Sequence, residues 1–599
     1  MMMTSEKIVA LRKLMKARNV AALIIPSADP HQSEYVAPRW QARKWISGFT
    51  GSAGTLVITA GTVALWVDGR YFIQAEQELK GSGIRYFKSR EPGVPTVNEW
   101  IAGHLKTGQT VAFDGKLFSI EAIREMESAF APKKLRLRGR EDLVDLIWKD
   151  RPVLPCAPAI DFPVKYAGMS RSRKLKVVRA RLEEKRADAL LLASLDDIAW
   201  LFNIRGNDIA NSPVVLAYAL VGLKSATLFA DPGKFPASLQ RQLAAAGIAL
   251  FPYEAIASRL KSLTSLKSLC LNPRRISQWL ADALPKTMRR IEETTDITSD
   301  LKAVKNPVEQ GHFRQAALVD GVALVRFMAW LDRALKAGDR VTEYSAGEKL
   351  AALRREAPEC RGDSFAAICG YGANGAINHY KADATHARKL GPAGLFLVDS
   401  GGQYFGGTLD TTRTMALGPV SHEARINYTR VLKGLMALSR ARFPMGTTGT
   451  HLDTLARAPL WAEGLNYRHG SGHGVGSYLN VHEGPHGFTQ AWSPCPLIAG
   501  MVVTIEPGFY SPGQYGIRIE NMVLVMPDRV TDYGEFMRFE TLTVCPIDTV
   551  PIVASLLTPD ERDWLNDYHR NVWKRMSPLL EKADRAWLKQ KTTPIITRV

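Results

Sequence analysis

The chain has 599 residues, 46% of them hydrophobic and 23% charged, with a formal net charge of +19. That length exceeds one ordinary core and allows several domains of about 100 to 200 residues, and the composition excludes a disordered or membrane-embedded class. Lys and Arg are dispersed, with short clusters such as Lys133-Lys134-Leu135-Arg136 and no long basic tail, so the charge predicts a solvated basic surface and no nucleic-acid footprint.

Residues 1–30 carry charge throughout, and their longest apolar stretch, Val20 to Pro26, is too short for a signal-peptide core. The longest apolar run, Val214 to Leu223, is half of the roughly 20 residues needed to cross a bilayer, so no membrane span is expected. The six cysteines are scattered without a CxxC pair, as where thiols stay reduced, and a cytoplasmic location is expected. Arg361-Gly362-Asp363 spells an adhesion tripeptide, which in a chain without export is chance.

Prolines at 152, 155, 158 and 163 remove backbone donors and predict a linker. A polar run from Glu292 gives way to a helical pattern at Asn306-Pro307, so the expected domains are 1–160, 161–300 and 301–599. The first two look duplicated. A helix precedes the apolar strand Ala21 to Ile25 in one and Ala189 to Ala193 in the other, and each is followed by a tryptophan and a glycine turn.

The third piece concentrates polar residues at strand ends. Leu395-Phe-Leu-Val-Asp399 is an apolar strand ending in a carboxylate, and Thr408 to Met415 reads as its return strand, so Asp399 and Asp410 are expected to face each other across a hairpin. Two such carboxylates repel unless a cation lies between them. In Arg468-His-Gly-Ser-Gly-His-Gly-Val-Gly476 the glycines strip away bulk and leave His469 and His473 as functional groups. The strand Met501 to Glu506 ends in a third carboxylate, and alternation in Gly516-Ile-Arg-Ile-Glu-Asn521 puts Arg518 and Glu520 on one face.

Asp399, Asp410, His473, Glu506 and Glu520 form an oxygen-rich ligand set suited to two divalent ions such as Mn²⁺, with Zn²⁺ or Co²⁺ as competitors. Glu520 would bridge the two ions and Arg518 would clamp a ligating carboxylate. His482-Glu-Gly-Pro-His486 spells the zinc motif H-E-x-x-H, but that site needs a helix, which Gly484-Pro485 disfavours by about 4 kcal/mol.

Val398-Asp-Ser-Gly-Gly402, Leu409-Asp-Thr-Thr-Arg413, His469 to Gly476, Val481-His-Glu-Gly-Pro485, Ile505-Glu-Pro-Gly-Phe-Tyr510 and Ile517-Arg-Ile-Glu520 together resemble aminopeptidase P, the X-Pro aminopeptidases of the pita-bread metallopeptidase clan. Trp45 to Gly54 and Trp66-Val-Asp-Gly-Arg70 look like the first creatinase-type domain of the large form. The resemblance implies an α/β (α+β) chain: two creatinase-like N-terminal α/β domains, then a pita-bread catalytic domain with a helical C-terminal extension. It implies metal-dependent removal of the first residue from peptides with proline second, by a hydroxide bridging the metals, and a homodimer. Glu506 becomes the candidate general base. His379, His469 and His482 resemble the family's substrate-binding, transition-state-stabilising histidines, Tyr510 is expected to hydrogen-bond near the reacting carbonyl, and Arg518, as the clamp on a ligating carboxylate, joins the expected catalytic set. Phe405, Trp492, Phe509 and Tyr510 are candidates for a proline pocket. A dipeptide-cutting prolidase and a non-catalytic binding module of the same fold are the alternatives; three domains disfavour the first, and the intact ligand positions disfavour the second.

Overall fold

A computed structural model describes residues 3–596. The chain forms two compact units, Met1–Pro163 with Met169–Thr298, and Val164–Gly168 with Ser299–Val599.

The first unit contains two six-stranded sheets of the same topology. In one the order is Arg85–Lys88, Val63–Val67, Thr55–Thr59, Ala22–Pro26, Thr110–Ala112, Arg136–Arg138. In the other it is Ile248–Phe251, Ala226–Phe229, Tyr218–Gly222, Ala189–Leu192, Ser268–Leu271, Arg289–Glu292. Each has antiparallel pairing through its second, third and fourth strands and parallel pairing at its flanks. The duplication expected from the helix–strand repeat is therefore present as a repeat of strand order and sense. The apolar run beginning at Val214 feeds the strand Tyr218–Gly222, and no described helix is long and apolar enough to cross a membrane.

The second unit opens with the helix Pro307–Lys336. Asn306 caps it by accepting from the backbone N–H groups of Val308 (3.0 Å) and Glu309 (3.2 Å), and the Glu309 carboxylate accepts from the Asn306 N–H in return. This reciprocal cap, with proline at the first helical position, explains the start at the residue where the sequence pattern changes. A bent six-stranded sheet runs Phe443–Pro444, Gly534–Thr541, Asn521–Thr531, Val502–Ile505, Gly472–Gly474, Glu483–Phe488. Beside it lie a three-stranded sheet, with Leu395–Ser400 between Ile368–Tyr371 and Thr411–Ala416, and the hairpin Gly508–Ser511 with Tyr515–Arg518. Helices His422–Ser439 and Pro559–Met576 carry buried faces, Tyr428, Leu432 and Leu435 from the first and Leu565 and Val572 from the second, which join Phe396, Val398, Val503 and Val523 in one core. That core holds the strand ends in which the polar residues sit.

Candidate metal centre

Strand register decides how the carboxylates meet. Leu395–Ser400 pairs antiparallel with Thr411–Ala416 so that Asp399 lies opposite Thr412 and Ser400 opposite Thr411. The expected hairpin is thus corrected: Asp410 is one residue beyond the ladder, not opposite Asp399. The reason is that Gly402–Tyr404 and Gly407–Thr408 pair with each other in a separate small sheet with Cys360–Asp363, so the return strand resumes only at Thr411. The expected alternation across residues 516–521 is also interrupted, because one strand ends at Arg518 and the next begins at Asn521. Both side chains nevertheless reach Thr412. Its hydroxyl donates to Glu520 Oε2 at 2.7 Å and accepts from Arg518 Nε at 3.3 Å.

His473 enters from Gly472–Gly474, where a Cβ on Gly472 would run into the carbonyl oxygen of Thr504, so only glycine permits that strand approach. His473 Nδ1 donates to the Gly474 carbonyl at 2.8 Å, leaving Nε2 3.4 Å from Asp410 Oδ2 and 3.6 Å from Glu506 Oε1. Ligand atoms of Asp410, His473 and Glu520 lie within 4.8 Å of one another. Asp399 Oδ2 accepts from Arg518 Nη2 at 2.6 Å. Exposure runs from 1% for Glu520 to 18% for the Glu506 side chain and 20% for that of His473, so Glu520 is the floor of the site and Glu506 and His473 its open side.

The electrostatics call for positive charge. Asp399 Oδ1, Asp410 Oδ1 and Glu520 Oε1 are buried without a hydrogen-bond partner among the described residues, which is costly for carboxylates in a protein interior. Burial, opposed by Arg518 and reinforced by Asp410, pushes the Asp399 carboxyl up to about 6. Burial likewise pushes Glu506 up to about 7, against the favourable charges of His473 and Arg518. Glu520 is raised well above the usual carboxylate range by burial and by the charges of Asp410, Glu506 and Asp399. Burial alone would lower His473, but its contact with Asp410 and the charge of Glu506 carry it up to about 9. Such a set, with three orphaned oxygens and one imidazole nitrogen oriented by its other nitrogen, fits a pair of divalent cations.

Around it runs a chain of polar contacts. Arg518 Nη1 donates to the Tyr510 hydroxyl at 2.6 Å, and that hydroxyl lies 2.8 Å from His469 Nε2. His469 Nδ1 donates to the Gly470 carbonyl at 2.7 Å, so Nε2 is the acceptor, and burial followed by the Arg518 charge holds this imidazole well below its ordinary pKa. The His482 ring meets that of His473 edge-on at 4.3 Å between centroids. His379 stands in the loop after Ile368–Tyr371 and contributes to the positive potential at His469. His482 begins no helix: Glu483–Phe488 is a strand, so the H-E-x-x-H spelling places no pair of histidines on a helical face. Of the candidate pocket aromatics, Phe405 packs with Tyr166 and Tyr478, Phe509 with Tyr515, and Trp492 is 69% exposed beside His451.

Sequence reasoning missed the residues that hold the loops. Arg413 is fully enclosed and donates to the carbonyls of Thr412, Glu520, Cys545 and Pro546, to Asn521 Oδ1 and to the Tyr568 hydroxyl, tying the Glu520 backbone to the C-terminal segment. Arg457, paired with Asp453 at 2.6 Å, donates to the carbonyls of Tyr467 (2.8 Å) and His469 (2.7 Å). Asp453 and Arg457 are spaced i, i+4 on Gly449–Trp461, a signal that reads equally well as an ordinary surface pair.

The family model for Metallopeptidase family M24 matches residues 311–527, the model for the C-terminal region of that peptidase matches 535–595, and Creatinase/Prolidase N-terminal domain models match 7–145 and 150–309. The chain is 40% identical to a probable Xaa-Pro aminopeptidase P of Laccaria bicolor, covering 99% of this chain and 94% of the relative. It is 39% identical to aminopeptidase P2 of Arabidopsis thaliana, covering 98% of this chain and 88% of the relative. Its fold is similar to the crystal structure of X-prolyl aminopeptidase from Caenorhabditis elegans, described as a cytosolic enzyme with a di-nuclear active site, with a TM-score of 0.95, 34% identity, and coverage of 99% and 100% of the two chains. The two repeated sheets, the strand ends that gather four carboxylates and an imidazole, and whole-length identity near 40% lead to one assignment: the chain belongs to the Xaa-Pro aminopeptidase P family within metallopeptidase family M24.

Proposed function

We propose that this protein is a metal-dependent Xaa-Pro aminopeptidase, releasing the N-terminal residue from peptides whose second residue is proline. The observation that supports the reading is the grouping of Asp410, His473 and Glu520 ligand atoms within 4.8 Å, with Glu506 3.6 Å from His473 and with buried, unsatisfied carboxylate oxygens on Asp399, Asp410 and Glu520. These five residues would hold two divalent cations, Mn²⁺ first by the oxygen-rich donor set, with Zn²⁺ or Co²⁺ as competitors. Such cations lower the pKa of water and polarise the scissile carbonyl.

The chain's own residues do the rest. Glu506, on the open side, takes the proton from the attacking water and returns it to the leaving nitrogen of proline, the exchange that a carboxylate next to the reacting bond can carry out. Neutral His469 keeps its Nε2 lone pair on the Tyr510 hydroxyl, and Arg518 donates to the same hydroxyl, so that phenol is fixed beside the reacting carbonyl. Arg518 also holds Asp399 at its ligating angle. His379 and His482 contact the substrate from the loops that flank the centre. Proline at the second position removes an N–H and adds a ring, so selection for it rests on shape and not on a backbone hydrogen bond. We take residues 1–160, 161–300 and 301–599 as the working domain division, supported by the two repeated sheets and the separate polar-rich unit. A homodimer in the cytoplasm completes the proposal; the cytosolic description of the Caenorhabditis elegans enzyme supports the location.

The test is release of the first residue from an Xaa-Pro-Pro tripeptide, an Xaa-Pro dipeptide and an Xaa-Ala peptide, by chelator-stripped protein and after Mn²⁺ addition. Metal-dependent cleavage of the tripeptide is expected. Cleavage of the dipeptide alone would mean a prolidase, and no cleavage with two metals bound would mean a binding module.

A further inference from the structure

Glu343 is a fully buried carboxylate, 0% exposed, at the first position of the helix Glu343–Arg355. Among the described residues no arginine or lysine side chain pairs with it; backbone N–H groups and the Asn374 and Tyr380 side chains surround it instead. Its Oε1 accepts from the Tyr371 N–H at 2.7 Å and from Asn374 Nδ2 at 3.0 Å, and its Oε2 accepts from the Tyr380 hydroxyl at 2.8 Å and the Arg388 N–H at 2.8 Å. A carboxylate offers about four lone-pair sites, and these four donors fill them. In return the Glu343 N–H donates to the Arg388 carbonyl at 3.0 Å, and Thr342 bridges to Lys389.

The donors are not a random selection. Tyr371 ends the strand Ile368–Tyr371, Arg388 lies where the chain returns, and between them runs the loop that carries His379. Tyr380, the residue after His379, is bound to Glu343; Asn378, the residue before it, has its carbonyl 3.5 Å from Arg518 Nη2. His379 is thus held between one neighbour tied to the metal-ligand clamp and another tied to Glu343. We propose that Glu343 is the positioning residue for His379, fastening both ends and the middle of its loop so that the imidazole meets the substrate at a fixed place. The inference rests on the reading of His379 as a substrate-contacting residue. The physical basis is charge: bonds to an ionised acceptor are about twice as strong as neutral ones, and the acceptor is itself fully buried at the junction of the three segments that donate to it.

Glu343→Gln keeps the shape but replaces one acceptor oxygen with an NH₂ group, so two of the four donors lose their acceptor in either orientation of the amide. The experiment measures kcat/KM on an Xaa-Pro-Pro tripeptide with metal-loaded, full-length enzyme for E343Q, H379A and the double variant, with bound metal counted in each. E343Q is expected to lose about 10- to 100-fold while keeping its metal, since a misplaced contact residue costs that much. In the H379A background the same substitution should change kcat/KM by less than about twofold, because the group it positions is absent. Tyr380→Phe removes a single donor and gives about a 3- to 10-fold loss that also vanishes with H379A; it carries the test if E343Q does not fold. Equal fold-losses with and without His379 would show a merely structural clamp and overturn the proposal, as would full activity in both E343Q and Y380F. Full activity in H379A alone would overturn the reading of His379 itself, and is seen without touching Glu343.

Discussion

Loading the centre with metal should expel protons, in a number that the site geometry sets. In the metal-free protein His473 is pushed up to about 9, Glu506 to about 7 and Asp399 to about 6. At pH 7 these groups then hold about 1.0, 0.5 and 0.1 protons, so about 1.6 must leave when all become ligands, and Glu520, raised by burial and its acidic neighbours, acts in the same direction. At pH 5.5 the same three groups hold about 2.7, so proton release grows, and apparent metal affinity weakens, as pH falls. The assay is titration calorimetry of Mn²⁺ into chelator-stripped protein in two non-chelating buffers of different ionisation enthalpy; the dependence of heat on buffer counts the protons. A count below about 0.5 at pH 7, or one that rises with pH, would refute the picture of crowded carboxylates awaiting a cation. The metal-free fold has the matching sign. Asp399, Glu506 and His473 all bind protons more tightly folded than unfolded, so their contribution is fully present below their ordinary values of 3.8, 4.5 and 6.5. It is lost as pH rises through about 6, 7 and 9, and bound metal abolishes that decline.

Arg518→Met removes the bond to Asp399 and the one to Tyr510 together, and kcat/KM is expected to fall about 100- to 1000-fold; a loss under about threefold in steady-state assays would remove Arg518 from the proposed machinery. Thr412→Val deletes the donor to Glu520 Oε2 and should weaken metal binding about tenfold, read by competition with a chelating dye, with unchanged affinity as the contrary result. Arg457→Met leaves Asp453 buried and unpaired and frees two carbonyls of the His469 loop, so denaturant unfolding should show about 3 to 5 kcal/mol of destabilisation. A shift under about 1 kcal/mol would mean that Arg457 does not anchor the loop.

Much of this protein is written locally. Apolar runs closed by Asp399 and Glu506 mark strands with a carboxylate at or just past their end, Asp399 next to last in Leu395–Ser400 and Glu506 directly after Val502–Ile505, because strand and turn signals are short-range. The cap at Asn306-Pro307 needs only neighbouring residues and is present where the sequence pattern changes, and Thr558-Pro559 opens a C-terminal helix by the same local device. The repeat of helix and strand in the first two segments likewise needs no long-range information to be seen.

Register and remote anchoring are different in kind. Whether Asp410 faces Asp399 or lies one residue past the ladder depends on residues 402–408 joining Cys360–Asp363 in another sheet, a pairing between distant segments that no local pattern specifies. Glu343 reads as an ordinary first-turn acid of a helix until the fold brings Tyr371, Tyr380 and Arg388 onto it. The kinds of side chain at the candidate site were therefore legible in sequence, because chemistry demands particular side chains. Their alignment, and the buried charges that hold the histidine loops, were decided only by tertiary structure, because a hydrogen bond across many tens of residues leaves no periodic trace in the chain.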